Sequence, residues 1–205
     1  MDKSLLIIFA KNPELGKVKT RLAATLGNEV ALAVYFQLLN KTRQETESLT
    51  VDKVVYYSNY VEHGDLWDDN IYAKAAQQGD DLGQRMQNAF TQAFANGYER
   101  VCIIGSDLME ISAEVIEQAF EKLKKRDVVV GPSEDGGYYL LGMSKMIPAL
   151  FENKAWSTDE VFIATRDDVR RLGLQMAELP VLNDIDTEKD LGDWASVMTP
   201  KYLVN

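Results

Sequence analysis

The segment Val101–Leu108 constrains this sequence most, because an apolar run there leads directly into an acidic side chain. Its first four residues are all apolar, and three of them are β-branched. Such a run is typical of a strand that is buried on both faces of a parallel sheet. The strand ends in Gly-Ser-Asp, and ligands of open α/β sheets bind at the carboxyl ends of strands. Asp107 is therefore either a cation ligand or only part of the turn that ends the strand.

Strand-like and helix-like segments alternate along the whole chain, which has no internal repeat and no linker. This alternation predicts an α/β fold, a three-layer α/β/α sandwich around a mostly parallel mixed sheet, with residues 1–205 as one domain. The predicted strands span residues 5–10, 53–58, 101–104, 127–132, 138–142 and 174–179. The predicted helix caps are Asn28, Asp80 or Asp81, Ser112, Thr158 and Thr187.

Composition limits the classes of partner that this chain can have. The formal net charge is −10, which argues against non-specific binding of nucleic acid. No apolar run approaches the roughly 20 residues that a membrane-spanning helix needs. The N-terminus lacks a secretory signal pattern, and the only cysteine, Cys102, lies within a strand. We therefore expect a cytoplasmic protein without a disulfide framework.

Four basic residues follow the first predicted strand: Lys11, Lys17, Lys19 and Arg21. The loop is not a Walker A motif, and it is not the G-x-G-x-x-G loop of a dinucleotide-binding domain. A basic loop at this place in an α/β domain is nevertheless well placed to bind phosphates. A solvated charged loop is the alternative interpretation.

Two acidic residues follow the last predicted strand. Asp184 and Asp186 are spaced by two, so in an extended segment both side chains point to the same side. They either belong to a turn that leads into the helix capped by Thr187, or they form a second pair of metal ligands beside Asp107.

Six motifs, taken together and in this order, resemble a bacterial family of glycosyltransferase-A-like proteins. The family is described as nucleotide-diphospho-sugar transferases or as a domain of unknown function of that fold. The matching segments are FAKNP at 9–13, GKVKTRL at 16–22, GSD at 105–107, GPSEDGGYYL at 131–140, WST at 156–158 and NDIDT at 183–187. They extend over nearly the whole chain.

The resemblance implies the nucleotide-diphospho-sugar transferase (GT-A) fold and a metal site formed by Asp107, Asp184 and Asp186. The family is similar to the guanylyltransferases of molybdenum-cofactor and deazaflavin-cofactor biosynthesis, which bind a nucleoside triphosphate with a basic first loop. Two departures stand out. The L-x-G-G-x-S-x-R loop of the former enzymes is absent, and the Asp-x-Asp of glycosyltransferases is reduced here to Gly105-Ser106-Asp107.

The leading hypothesis is a metal-dependent transferase that uses a nucleoside diphosphate sugar and an unknown acceptor. Mg²⁺ or Mn²⁺ suits a site made of oxygen ligands better than zinc does. Asp135 is the candidate base on the acceptor side. The predicted nucleotide- and phosphate-binding residues are Lys11, Lys17, Lys19, Arg21, Ser106, Gly136 and Gly137, where the Gly-Gly pair lets backbone approach a ligand or simply forms a turn.

Two alternatives remain open at this point. A nucleotidyltransferase would use the same metal and basic loop on a nucleoside triphosphate and would release diphosphate. A non-catalytic module would bind a sugar nucleotide without turnover, and the missing acid of the Asp-x-Asp motif favours it slightly.

Overall fold

The computed structural model describes residues 3–198. Seven strands form one sheet: β1 (Ser4–Ala10), β2 (Asp52–Tyr57), β3 (Tyr72–Ala76), β4 (Arg100–Ile104), β5 (Val128–Pro132), β6 (Tyr138–Met143) and β7 (Met176–Glu178). The helices are α1 (Thr20–Leu26), α2 (Asn28–Glu47), α3 (Leu82–Ala95), α4 (Ala113–Leu123), α5 (Val161–Arg171), α6 (Glu188–Leu191) and α7 (Ala195–Met198).

The strand order is β3-β2-β1-β4-β6-β5-β7, and β6 runs antiparallel to both of its neighbours. The other strand pairs in the described part of the chain are parallel. Helices cover both faces of the sheet, so the predicted α/β/α architecture with a mostly parallel mixed sheet is confirmed.

The alternation of side chains along β1 shows how the two cores form. Leu6 and Ile8 pack on one face with residues of α2 and α4, while Leu5 and Ile7 pack on the other with residues of α3 and α5. Successive residues of a strand point to opposite faces, so a strand that is covered on both faces must be apolar throughout. The same rule explains the apolar run of β4, in which Val101 to Ile104 are all buried.

The direction of the strands decides which loops meet. β1, β4 and β5 run parallel, so their carboxyl ends lie at one edge of the sheet. β6 is antiparallel and therefore begins at that edge. The basic loop after β1, the Gly105–Asp107 segment after β4 and the turn between β5 and β6 are thus neighbours in space.

The segment after β7 crosses this same edge. It forms an isolated bridge from Leu182 to Ser133 and another from Asp184 to Leu108. The Ile185 N–H donates to the Asp107 carbonyl at 3.0 Å. The chain therefore carries its two late aspartates back to the end of the central strand.

Three local predictions differ from the structure. Asn28 does not cap α2; it is the first residue of the helix, and Gly27 precedes it at the cap position without a side-chain cap. β3 was not predicted, because its sequence YAKAA is rich in alanine and has no strand pattern; it is an edge strand formed by pairing with β2. Thr158 does not cap α5, which begins at Val161 without a side-chain cap.

Cys102 is fully buried, and burial raises the pKa of its thiol. No helix among residues 3–198 is both long and apolar enough to cross a membrane.

Candidate active site

A cavity of about 750 Å³ opens at the edge of the sheet where β1, β4 and β5 end. Its volume lies in the range of small-molecule and cofactor sites. It brings together eight of the eleven residues that the sequence singled out: Lys11, Arg21, Ser106, Asp107, Asp135, Gly137, Asp184 and Asp186. Lys17, Lys19 and Gly136 do not line it.

Lys19 is a buried cation that joins two of the predicted metal ligands. Its Nζ lies 2.9 Å from Asp107 Oδ2 and 3.0 Å from Asp186 Oδ1, and only 4% of its side chain is exposed. Since one nitrogen contacts both oxygens, those oxygens are no more than about 6 Å apart. Burial alone would lower the pKa of Lys19, but attraction to Asp107 and Asp186 outweighs it and raises the pKa.

The backbone of Lys19 adopts a left-handed conformation, with φ 47° and ψ 45°, immediately before α1. A residue with a Cβ atom is uncommon in this region and costs free energy there. The conformation directs the ammonium inward, whereas the neighbouring Lys17 points outward. Lys19 is thus a counter-ion of the carboxylates rather than a free ligand for phosphate.

Asp184 carries the most perturbed carboxyl group of the cavity. Burial, reinforced by the negative charges of Asp107 and Asp135, raises the pKa of Asp184 to about 7. Lys19 acts in the opposite direction but does not compensate. A carboxyl group whose pKa is raised by burial and by neighbouring carboxylates, and which lies in a cleft, is a candidate functional group.

The residues of this edge fit a hard divalent cation of the kind that nucleotide sites use. Among residues 3–198, no three acidic, histidine or cysteine side chains converge closely enough to enclose a metal by themselves. Mg²⁺, however, is usually held by one or two carboxylates together with waters and substrate phosphates. Asp107 and Asp184 supply two such carboxylates in one cavity. Lys19 contacts one oxygen of Asp107 and one oxygen of Asp186, and the Arg21 guanidinium lies 3.5 Å from the second oxygen of Asp186, so Asp186 is held by two cations and Asp107 by one.

Two of the four basic residues of the loop line the cavity, and the other two, Lys17 and the buried Lys19, do not. Lys11 and Arg21 line the cavity, and 71% of the Arg21 side chain is exposed. Lys17 is exposed and forms an ion pair with Glu14 at 2.6 Å, outside the cavity. Two of the four predicted phosphate ligands therefore face the space in which a phosphate would bind.

Tyr35 of α2 joins the basic loop to the end of the central strand, a role that no sequence pattern signals. Its hydroxyl accepts from the Lys11 N–H at 2.7 Å and donates to the Lys11 carbonyl at 3.1 Å. The same hydroxyl lies 3.4 Å from the hydroxyl of Ser106, which is buried. One buried phenol thereby sets the relative positions of the β1 and β4 ends.

The turn between β5 and β6 holds Asp135 at the cavity wall. Asp135 Oδ1 accepts from the Ser133 hydroxyl at 2.5 Å and from the Gly137 N–H at 2.9 Å. Gly136 has a φ of 86°, and a Cβ atom there would meet the Asp159 carbonyl oxygen at 2.2 Å. Gly136 thus serves close packing against the segment before α5, while Gly137 faces the cavity.

Three further polar residues line the cavity on the β2–β3 side: Ser58, Gln77 and Arg85. The Arg85 Nε donates to the Gly79 carbonyl at 3.0 Å, and its Nη1 lies 3.4 Å from Gln77 Oε1. From sequence alone, Arg85 could have faced either the site or the solvent. The edge-strand position of β3 brings Gln77 to the site, and no motif signals this.

An apolar wall lines the cavity where the first turn of α3 meets the segment before α5. Trp156 packs directly on Gly83 in the first turn of α3, where a Cβ atom would lie 2.1 Å from the indole nitrogen. Its ring also stacks on Phe151, with centroids 6.4 Å apart and planes at 22°. Leu82, which lines the cavity beside it, remains 42% exposed. An apolar surface left open inside a polar cavity is typical of a ligand contact.

Comparison with solved structures supports this fold assignment. A protein of Desulfovibrio desulfuricans G20, which carries the provisional name nucleotide-diphospho-sugar transferase, is 36% identical with a TM-score of 0.87. The match covers 96% of this chain and 88% of that protein. The chain therefore has the predicted nucleotide-diphospho-sugar transferase fold.

More distant structures share the fold at low sequence identity. The inositol-1-phosphate CTP transferase of T. maritima has a TM-score of 0.54 and 14% identity, covering 97% of this chain and 96% of that one. The 4-diphosphocytidyl-2C-methyl-D-erythritol synthase of Anaerococcus prevotii DSM 20548 has a TM-score of 0.56 and 13% identity, covering 96% of each chain. These similarities concern the fold alone.

Comparison at the level of sequence identifies the family. No curated protein matches the sequence. The sequence profile of the bacterial family DUF2064 matches residues 42–158, more than half of the chain. Together with the 36% identity over nearly the full length, this match shows that the chain belongs to the family described as "uncharacterized protein conserved in bacteria (DUF2064)".

Proposed function

We propose that this protein is a transferase that binds a nucleoside diphosphate sugar with a divalent metal ion and transfers the sugar to an acceptor. The proposal depends on one observation above all. Asp107 and Asp184, a pair of carboxylates whose mutual repulsion contributes to the raised pKa of Asp184, share a cavity with the cationic Arg21 and Lys11. The relative that is 36% identical and provisionally named a nucleotide-diphospho-sugar transferase supports the same class of donor.

The charge balance of the cavity supports dependence on a metal. Three cationic side chains line it, and the buried Lys19 pairs with Asp107 and Asp186 from outside the lining. These four cations face six carboxylates: Lys11, Arg21, Arg85 and Lys19 against Asp80, Asp81, Asp107, Asp135, Asp184 and Asp186. A nucleoside diphosphate adds further negative charge. Without a cation, this donor would meet net repulsion in a space partly shielded from water.

Each residue then has a role that its position permits. Asp107 and Asp184 would hold Mg²⁺ or Mn²⁺, which when bound neutralises a diphosphate and stabilises it as a leaving group. Arg21 and Lys11 would bind phosphate oxygens, and Gly137 would let the backbone approach the donor. The buried Lys19 ammonium holds the Asp107 and Asp186 carboxylates in place through its ion pairs with both.

Asp135 is placed to act as the base of an inverting reaction. Its Oδ1 is held by two donors of its own turn, and it lies within the electrostatic reach of Asp184. In such a step an acceptor hydroxyl oxygen attacks the anomeric carbon, and its proton passes to the Asp135 carboxylate. The bond between the anomeric carbon and the diphosphate oxygen breaks, and the nucleoside diphosphate leaves with the electron pair.

A nucleotidyltransferase remains the second candidate, because the fold is shared with an enzyme named as a CTP transferase and with a 4-diphosphocytidyl-2C-methyl-D-erythritol synthase. Such an enzyme would catalyse attack of an acceptor on the α-phosphate of a nucleoside triphosphate and release diphosphate.

A panel of nucleoside diphosphate sugars and nucleoside triphosphates, each with Mg²⁺, Mn²⁺ or EDTA, separates the two candidate reactions. Metal-dependent release of nucleoside diphosphate supports glycosyl transfer, whereas diphosphate release from a triphosphate contradicts it. Tight binding of sugar nucleotides without turnover across the panel would favour the non-catalytic module.

Alanine substitutions of Arg21 and Lys17 test which side chains of the basic loop bind phosphate. We expect Arg21→Ala to weaken binding of a magnesium nucleoside diphosphate by about tenfold, since one charge-assisted hydrogen bond is lost. Lys17→Ala is the matched control, because Lys17 is equally exposed but lies outside the cavity. The affinity of Lys17→Ala for the magnesium nucleoside diphosphate should stay within about twofold of wild type. Both variants should keep wild-type stability. Titration calorimetry measures the affinities, and equal losses for the two variants would contradict the assignment.

A further inference from the structure

The three aspartates at this edge of the sheet differ in how many cations they contact. Asp186 has two cationic neighbours, the Lys19 ammonium at 3.0 Å from Oδ1 and the Arg21 guanidinium at 3.5 Å from Oδ2. Asp107 has one, because Lys19 lies 2.9 Å from its Oδ2. Asp184 forms no ion pair with any side chain of residues 3–198, although negative charges surround it. The aspartate with the least compensated charge is therefore Asp184.

The Lys19 ammonium joins two carboxylates in the way that a bridging metal ion does. One nitrogen contacts an oxygen of Asp107 and an oxygen of Asp186, although these residues come from distant segments of the chain. Only 4% of the Lys19 side chain is exposed. Its carbonyl accepts from the Ala23 N–H at 2.8 Å, so the backbone that carries the ammonium is fixed to the first turn of α1. This cation is tethered and buried, and it does not exchange with solvent.

A second divalent ion at the same two carboxylates would meet an unfavourable charge in either of two arrangements. Beside the ammonium, it would lie within a few ångströms of a like charge in a space partly shielded from water. In place of the ammonium, it would leave Lys19 buried without a counter-ion, which is strongly destabilising. An ion held by Asp184 together with Asp107 avoids the second cost, because Lys19 then keeps its ion pair with Asp186.

We infer that Lys19 takes the place of a second divalent ion, so that the site binds one Mg²⁺ or Mn²⁺ per chain, held by Asp107 and Asp184 and not by Asp186. This inference rests on the metal-dependent function proposed above. It narrows the three aspartates that the resemblance implies to two metal ligands. Lys19 is a positioning residue in this arrangement, since it acts on the metal only through the carboxylates that it holds.

Counting bound metal tests the inference without measuring turnover. The wild-type protein is dialysed to equilibrium against Mn²⁺, alone and with saturating ADP, GDP, CDP or UDP, and electron paramagnetic resonance measures the free Mn²⁺ on each side. We expect binding to saturate at one Mn²⁺ per chain in the nucleotide complex. Two Mn²⁺ per chain in the wild-type complex would overturn the inference.

Variants of Lys19 show whether its ammonium excludes a second ion. Lys19→Ala leaves the Asp107 and Asp186 carboxylates without their shared cation, so the number of bound Mn²⁺ should rise from one to two. Lys19→Arg keeps a cation and should remain at one. Mn²⁺ should also raise the melting temperature of Lys19→Ala by more than that of wild type, because it replaces a missing counter-ion. A folded Lys19→Ala that still binds one Mn²⁺ would contradict the assignment.

Two aspartate variants test the ligand assignment even if Lys19→Ala does not fold. Asp184→Asn should weaken Mn²⁺ binding by about tenfold or more, since a ligand loses its charge. Asp186→Asn, two residues away, should change it by no more than about threefold, since its charge acts on Lys19 and Arg21 and not on the metal. Asp193→Asn, an exposed carboxylate outside the cavity, is the control. Equal losses in Asp184→Asn and Asp186→Asn would make both residues metal ligands and overturn the inference.

Failure of this inference and failure of the proposed function give different results. If the wild type binds two Mn²⁺ and releases nucleoside diphosphate from a sugar nucleotide, the proposed function stands and the role given to Lys19 is wrong. If the wild type binds no Mn²⁺ with any of the nucleotides, or turns over a sugar nucleotide equally well in EDTA, the metal-dependent function itself is wrong.

Discussion

Replacement of Asp107 by asparagine is expected to lower turnover of a nucleoside diphosphate sugar by about a thousandfold. Asp107 would hold the metal ion from the end of the central strand, and asparagine keeps its shape but removes the charge. Loss of a group that stabilises developing charge in a site of this kind costs about 10² to 10³ in rate, and a metal ligand lies at the upper end. In titration calorimetry, Mg²⁺ should raise the nucleotide affinity of the wild type but not that of Asp107→Asn.

The control for this prediction is Asp193→Asn, which removes an exposed carboxylate outside the cavity. It should keep both turnover and the effect of Mg²⁺. Circular dichroism should show that Asp107→Asn remains folded, because Lys19 retains Asp186 as a partner. A full response to Mg²⁺ in folded Asp107→Asn would exclude Asp107 as a metal ligand.

Replacement of Asp184 by asparagine should stabilise the metal-free protein, and only at neutral and alkaline pH. Burial and neighbouring carboxylates raise the pKa of Asp184 from its ordinary value near 4 to about 7. Between these pH values the folded protein binds a proton that the unfolded chain does not, so stability falls as the pH rises from about 4 to 7. Asparagine does not ionise and avoids this cost. At pH 8 in EDTA we expect a gain of about 1 to 2 kcal/mol in the free energy of unfolding.

Urea denaturation of both proteins at pH 8 and at pH 4 measures this difference. At pH 4 the gain should nearly vanish, because Asp184 is then protonated in the folded state. Asp159→Asn, which changes an exposed carboxylate of the segment before α5, should show no such pH dependence. An equal gain at both pH values would attribute the effect to something other than the charge of Asp184. With Mg²⁺ and nucleotide the order should reverse, since asparagine weakens the site that binds them.

The composition of the site was largely predictable because it follows from strand ends. The apolar runs of β1, β4 and β5 show where each strand stops, and parallel strands must stop at one edge. From this rule, Asp107 is expected to lie close to the basic loop after β1. Asp184 and Asp186 follow the last predicted strand and are spaced by two, so they are expected at the same edge of the sheet.

The roles of individual cations were not predictable in the same way. Lys17 and Lys19 are two residues apart in one basic loop, and composition treats them alike. The left-handed backbone at Lys19 turns its side chain into the protein, toward carboxylates that come from distant segments. Such a conformation is set by tertiary contacts and leaves no local signal when the residue is not glycine.

The roles of residues that act through packing or buried hydrogen bonds also could not be predicted from the sequence. Tyr35 looks like one more apolar position of α2, because its helical spacing matches that of its neighbours. Only the fold shows that its hydroxyl reaches the loop after β1. Likewise, the contact between Gly83 and Trp156 joins two segments whose sequences are not related by any spacing rule.

The ion pair between Lys19 and Asp186 also has a consequence for how the protein is made. It joins residues 167 positions apart, and Asp107 lies between them in the chain. During synthesis the basic loop and the central strand therefore exist long before Asp184 and Asp186 leave the ribosome. Contacts of such long sequence separation form late and slowly, because the chain must first lose much conformational entropy. The cluster of Lys19, Asp107 and Asp186 is thus completed only after nearly the whole chain has been synthesised.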